Sequence, residues 1–193
     1  VSDKDDQIKA IKKLLPFTDY IALSTYPYML TPNPDDMPID WFTQLIDMAP
    51  EKPFAIAETA FIAEELVFSV EDKIRGSNDW QAKYMEFLLR QANKHNAEFI
   101  VWFIPGDYDK AWEKMKKLGA SKVLGAWKDA GLLDETGKER GAFKIWKKWL
   151  DTKKGASNKN TSLCKFPKLD HDSIQIIKTV DEGNYNEALS TIA

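Results

Sequence analysis

The sequence predicts an α/β fold built on a parallel β-sheet. Three short apolar runs, Tyr20-Ile21-Ala22-Leu23, Phe54-Ala55-Ile56-Ala57 and residues 99–104, show no polar–apolar alternation. Continuous runs of this length are the habit of strands buried on both faces, as in parallel sheets. Amphipathic helical patterns lie before, between and after them, so the order is helix, strand, helix, strand, helix, strand, helix. That order is a repeating β/α architecture. The composition suits such a core: of 193 residues, 44% are hydrophobic and 30% charged, ordinary values for a globular chain.

The elements follow in order. Ile8, Ile11, Leu14 and Leu15 recur at helical spacing before the first run. Trp41, Leu45 and Met48 do so before the second, with Asp36 as cap and Pro38 near the first turn. Before the third, Asn78 followed by Gln81 has the form of a capping box, and Met85, Leu88, Leu89 and Ala92 make the apolar stripe. Ala111, Met115 and Leu118 give a short helix stopped by Gly119. A final amphipathic helix carries Ala142, Ile145, Trp146, Trp149 and Leu150. Trp41, Trp146 and Trp149 fall on these stripes and are expected in the core.

Residues 1–153 thus form the β/α portion, and 154–193 read as a linker and helical tail. Residues 155–161 are small and polar. Ile174, Ile177 and Val180, then Tyr185, Ala188, Leu189 and Ile192, suggest two short helices around Gly183, a packing or partner-binding tail.

Several function classes are excluded. The formal net charge is −3 and the lysines are dispersed, which argues against nucleic acid as a partner. No apolar run approaches the roughly 20 residues of a membrane-spanning helix. Two distant histidines, His95 and His171, and a single cysteine, Cys164, support neither a zinc site nor an internal disulfide. No phosphate-cradling or dinucleotide glycine motif occurs, so no cofactor is expected. The chain opens at Val1 without a Met and reads as processed or as part of something longer. Asn160-Thr161-Ser162 is a glycosylation sequon, meaningful only in a secreted chain.

The strand ends hold the informative residues, because ligands of repeating β/α folds sit at the carboxyl ends of the strands. The first run ends in Ser24-Thr25-Tyr26-Pro27-Tyr28, the second in Glu58-Thr59-Ala60-Phe61, and the third in Trp102 followed by 103–107. One carboxylate and several aromatics therefore converge on one mouth. The connection over 59–77 exceeds the usual strand-to-helix length, as functional lids do. Asp107 and Asp109 flank Tyr108 and read as a cation site or, more simply, as turn and cap residues. His95 lies near a helix carboxyl end, where the dipole favours it.

These strand ends, in their order and spacing, resemble the last three β/α units of a clan A glycoside hydrolase barrel, the clan of endo-β-galactanases, cellulases and β-mannanases. Residues 19–28 match the sixth strand, 53–60 the seventh and 99–105 the eighth. The stretch 76–84 is similar to the opening of the seventh helix, and 131–146 to the closing segment. The resemblance covers roughly residues 5–152 and implies the carboxyl-terminal portion of a TIM (β/α)₈ barrel.

It also implies a chemistry, hydrolysis of β-linked glycosides with retention. Glu58 stands where the clan has its nucleophile, and a donor hydroxyl at Tyr26 would help hold that carboxylate ionised. Trp102 matches the aromatic platform for the sugar ring, and Tyr28 and Trp80 are candidates for flanking subsites. Without the resemblance, Glu58 reads as the first solvated residue of a loop, Tyr26 as a mouth tyrosine bonded to backbone, and Trp102 as core.

The clan's acid/base, a Glu after an Asn at the fourth strand, has no counterpart here. Three of eight strands would leave open edges, whereas a full barrel takes about 250 residues. The expected partners are an oligo- or polysaccharide and a second chain that supplies the missing strands. Without it the chain is expected to be inactive. The alternative is a non-catalytic carbohydrate-binding or interaction module. The compartment stays open, secretion being in keeping with the family.

Overall fold

The structure, a computed structural model, describes residues 4–67 and 73–151. The linker and tail expected over 154–193, with Cys164 and His171, lie outside the described residues. Helix α1 (Lys4–Leu14) and a 3-10 turn (Leu15–Phe17) lead into β1 (Ile21–Thr25). Helix α2 (Thr43–Ile46) is a single turn before β2 (Phe54–Thr59). Strands β3 (Leu66–Val67) and β4 (Lys73–Ile74) pair antiparallel within the long connection of residues 59–77. Helix α3 (Asn78–Lys94), β5 (Ile100–Trp102), α4 (Asp109–Lys117) and α5 (Gly141–Leu150) complete the order.

The three apolar runs form a parallel sheet in the order β1-β2-β5. One face is packed. Ile21, Phe54, Ile56, Thr59 and Trp102 on the strands meet Phe42, Tyr84, Met85 and Leu88 in one core. The other face is open among the described residues: Ala22 and Ser24 are exposed, Phe99 is 40% exposed and Val101 47%. The expectation that these strands are buried on both faces therefore fails for the outer two and holds at Ala55 of β2, which is fully buried.

Helix α3 carries the packed face. Its cap is Ser77, whose Oγ accepts the Trp80 N–H at 3.1 Å. The cap thus falls one residue before the expected Asn78. Gln81 is no capping partner; it is buried, and its amide donates to the carbonyls of Phe61 (3.0 Å) and Gly131 (2.9 Å). Helix α5 packs on α3, so closely that a Cβ on Gly141 would meet that of Ala82 at 3.4 Å. Its last turn leaves the core, with Trp149 39% exposed, while Trp41 and Trp146 are only half-buried. Helical spacing predicts all three in the core; Trp41 and Trp146 pack against it from its edge, and only Trp149 leaves it.

The helix expected around Trp41 is shortened for a local reason. Asn33 caps a 3-10 turn (Pro34–Asp36), and Met37, which precedes Pro38, is extended at φ −68° and ψ 130°, as residues before proline are. Helix α4 ends as expected at Gly119, whose φ is +81°. There the N–H of Gly119 reaches Lys116 O (3.0 Å) and that of Ala120 reaches Met115 O (3.0 Å), the two bonds of a Schellman ending.

His95 closes α3 differently from the dipole expectation. Its ring stands edge-on to Phe54 at 6.3 Å, and its buried Nε2 has no hydrogen bond. Burial first, and then the Lys94 charge, lower its pKa from the ordinary 6.5. The unfolded chain therefore takes up the proton first, and stability falls as pH drops through the unfolded value. The melting temperature is expected to fall from pH 7.5 to pH 5.5, with a smaller drop in His95→Phe. Leu88→Ala, which empties a fully buried position, is expected to cost about 3 kcal/mol in urea unfolding.

Candidate functional site

The site begins with the register of β2. Leu23 pairs with Ile56, but Ser24 pairs with Glu58, and on the other side Ile56 pairs with Ile100 while Thr59 pairs with Trp102. One extra residue thus sits in β2, about Ala57, a bulge seen from both neighbours. Strict alternation would put Glu58 on the packed face with Phe54 and Ile56. The bulge turns it to the open face and sends Thr59 into the core, the re-aiming that bulges beside functional sites perform. Buried Thr59 is satisfied there, its Oγ1 donating to Thr25 O at 2.8 Å and lying 2.5 Å from the Tyr84 hydroxyl.

Tyr26, leaving the end of β1, donates its hydroxyl to Glu58 Oε1. The phenol is wedged edge-on between aromatic rings, Trp127 at 5.4 Å and Phe103 at 6.4 Å. Its pKa is pushed well above the usual tyrosine value, by burial first and then by the hydrogen bond and charge of Glu58. It therefore stays a protonated donor. Tyr26 and Glu58 lie on a cavity of about 580 Å³ whose other walls include Phe103, Tyr108, Met115, Leu124 and Trp127. The peptide bond after Phe103 is cis.

The structure thus brings Tyr26 and Glu58 together, but it sets the three expected substrate-binding aromatics elsewhere. Trp102 pairs with Thr59 and so shares the packed face; it is 8% exposed, and its indole N–H donates to Ala130 O at 2.9 Å. The aromatic that reaches the cavity from this strand end is its neighbour Phe103. Tyr28 is fully buried, its hydroxyl donating to Ala126 O at 3.1 Å. Trp80 is half-buried on a separate cavity of about 340 Å³, with Glu65, Arg75 and Ser77. Sequence reasoning missed Phe103 and Trp127. The bulge that sends Phe103 to the cavity leaves no mark in the sequence, and Trp127 ends a 3-10 helix (Lys122–Trp127) that shows no helical periodicity.

A charge network braces the loops beside this mouth. Arg140, 4% exposed, pairs with Asp107, which is 0% exposed, and reaches Glu64 at 3.1 Å and Asn78 at 3.2 Å. Burial alone would lower the Arg140 pKa, but the hydrogen bonds and charges of Asp107 and Glu64 raise it. Asp107 also accepts the Gly131 N–H at 2.8 Å. Lys128 joins Asp109, at 2.7 Å, and Asp129, and these bonds outweigh its burial and push its pKa up to about 12. Oxygens of Asp107, Asp109 and Asp129 come within 4.8 Å of one another. Arg140 and Lys128 are the cations they pair with.

No protein-family model matches this chain, and no curated protein matches its sequence. Solved structures do match its fold. A β-glucuronidase of Ruminococcus gnavus aligns with a TM-score of 0.52 at 14% identity, over 73% of this chain and 24% of its own. A β-glucuronidase of Faecalibacterium prausnitzii gives 0.51 at 16%, over 73% and 23%. A family 2 β-galacturonidase of Eisenbergiella tayi, bound to glycerol, gives 0.50 at 15%, over 80% and 31%. The fold is similar to part of the fold of these proteins. The chain spans less than a third of the length of these three proteins. Three parallel strands with helices packed on them are consistent with a portion of a (β/α)₈ barrel.

The brace gives a direct expectation. Arg140→Met leaves the Asp107 carboxylate buried without its cation, which costs about 3–5 kcal/mol when a buried pair is broken. Urea unfolding monitored by tryptophan fluorescence measures that loss.

Proposed function

We propose that this chain carries the nucleophile side of a retaining β-glycoside hydrolase of the clan A type, with Glu58 as nucleophile and Tyr26 as its donor. The observation that supports this most is the Tyr26–Glu58 hydrogen bond beside an aromatic-lined cavity at the carboxyl ends of parallel strands. In this reading an oligo- or polysaccharide places its anomeric carbon against Glu58. A carboxylate oxygen forms an ester bond to that carbon as the bond to the leaving oxygen breaks, and water later hydrolyses the ester. Tyr26, held protonated, fixes the carboxylate's orientation. Phe103 and Trp127, rather than Trp102, supply the aromatic walls.

The reaction also needs an acid/base carboxylate about 5–5.5 Å from the nucleophile. Among the described residues, Glu58 is the only carboxylate on the cavity. In this reading a second chain supplies the acid/base together with the strands that cover the open sheet face, and this chain alone does not complete the cycle. The same lone carboxylate favours a second reading, a carbohydrate-binding module that keeps the mouth without turnover.

Activated sugars separate the two, because a good leaving group needs no acid. The chain is incubated with 2,4-dinitrophenyl 2-deoxy-2-fluoro-β-glycosides of glucose, galactose and mannose and then weighed intact. A nucleophilic Glu58 displaces dinitrophenolate and adds one fluorosugar, mapped to the Glu58 peptide, and Glu58→Gln gives no adduct. Absence of any adduct, or one that persists in Glu58→Gln, supports the binding module.

A further inference from the structure

The cavity beside Glu58 has a chemical bias of its own. Phe103 and Trp127 stand edge-on, 6.5 Å apart at 82°, next to the carboxylate. The lining also includes Met115 and Leu124, whose side chains offer nothing to a sugar hydroxyl. The two tyrosine hydroxyls are already engaged: Tyr26 donates to Glu58, and Tyr108 to the carbonyl of Leu124 at 2.5 Å. No lysine or arginine lines the cavity among the described residues. The nearby loop cations are taken as well, Lys128 by Asp109 and Asp129, and Arg140 by Asp107 and Glu64.

We infer that this cavity takes an uncharged glycoside bearing an apolar group, aryl or alkyl, seated along Met115 and Leu124, and that it rejects sugars carrying a carboxylate. A polar group buried without a partner loses its hydrogen bonds to water and regains none, so a second sugar ring is disfavoured along that wall. An aromatic or alkyl group instead buries apolar area against it. A ligand carboxylate would stand beside Glu58 with no cation to offset two like charges. The inference rests on the glycoside reading and narrows it to neutral, apolar-substituted glycosides.

Binding is read at the Trp127 indole N–H by nitrogen-15 NMR, the resonance being assigned with Trp127→Phe. The probes are the phenyl and methyl β-glycosides of glucose, galactose and mannose, and phenyl β-glucuronide. At least one phenyl glycoside is expected to shift the Trp127 signal, with its methyl counterpart and the glucuronide each binding about tenfold or more weakly, a difference of about 1.4 kcal/mol. Met115→Gln should erase the phenyl-over-methyl preference. A methyl glycoside or glucuronide that binds as tightly as the phenyl glycoside overturns the inference and leaves the glycoside reading standing. A Trp127 signal that none of the probes moves overturns both.

Discussion

The molecule depends on one extra residue in its middle strand. The bulge about Ala57 changes which way everything after it faces. Before it, Phe54 and Ile56 feed the core; after it, Thr59 does, and Glu58 faces out. A carboxylate on the packed face would have to be neutralised or paired at high cost. Thr59 takes that place at little cost, because its hydroxyl finds a backbone carbonyl and the Tyr84 hydroxyl. The same shift seats Trp102 opposite Thr59, in the core, and leaves Phe103 for the mouth.

The loops beyond the strand ends are held by charge as well as by apolar packing. Arg140 links the segments of Glu64, Asp107 and Asn78, and Lys128 ties the start of α4 to Asp129. Such pairs hold position well because losing one partner strands the other in a dry place. Gly131 belongs to this brace for a steric reason. A Cβ there would lie 2.4 Å from the Asp107 backbone nitrogen, so only glycine lets the two loops meet.

The strands, their parallel order and the helix that covers them were legible in the sequence, because apolar continuity and helical spacing report packing directly. The neighbouring strand ends of Tyr26 and Glu58 were legible for the same reason. Other features were not. A bulge leaves no mark in a run as uniform as residues 54–57, so alternation in β2 could not be counted through to its neighbours. The resemblance implies Trp102 at the mouth, but the register set by the bulge seats it opposite Thr59 and leaves the cavity to Phe103. The α3 cap was misplaced because Ser77 and Asn78 are both good caps, and tertiary demand for Gln81 in the core decided between them. Trp127 ends a short 3-10 helix (Lys122–Trp127) with no periodicity to betray its role. His95 turned on a balance that sequence cannot weigh, a favourable dipole against the burial of its ring.

The sheet's outer strands carry one more consequence. In the order β1-β2-β5, each outer strand presents one row of backbone donors and acceptors without a strand beside it among the described residues, above an apolar face that includes Phe99 and Val101. Such edges accept whatever extended segment reaches them first. At edges of this kind, adding a strand and covering the apolar face beneath it are one event, so neither can happen without the other.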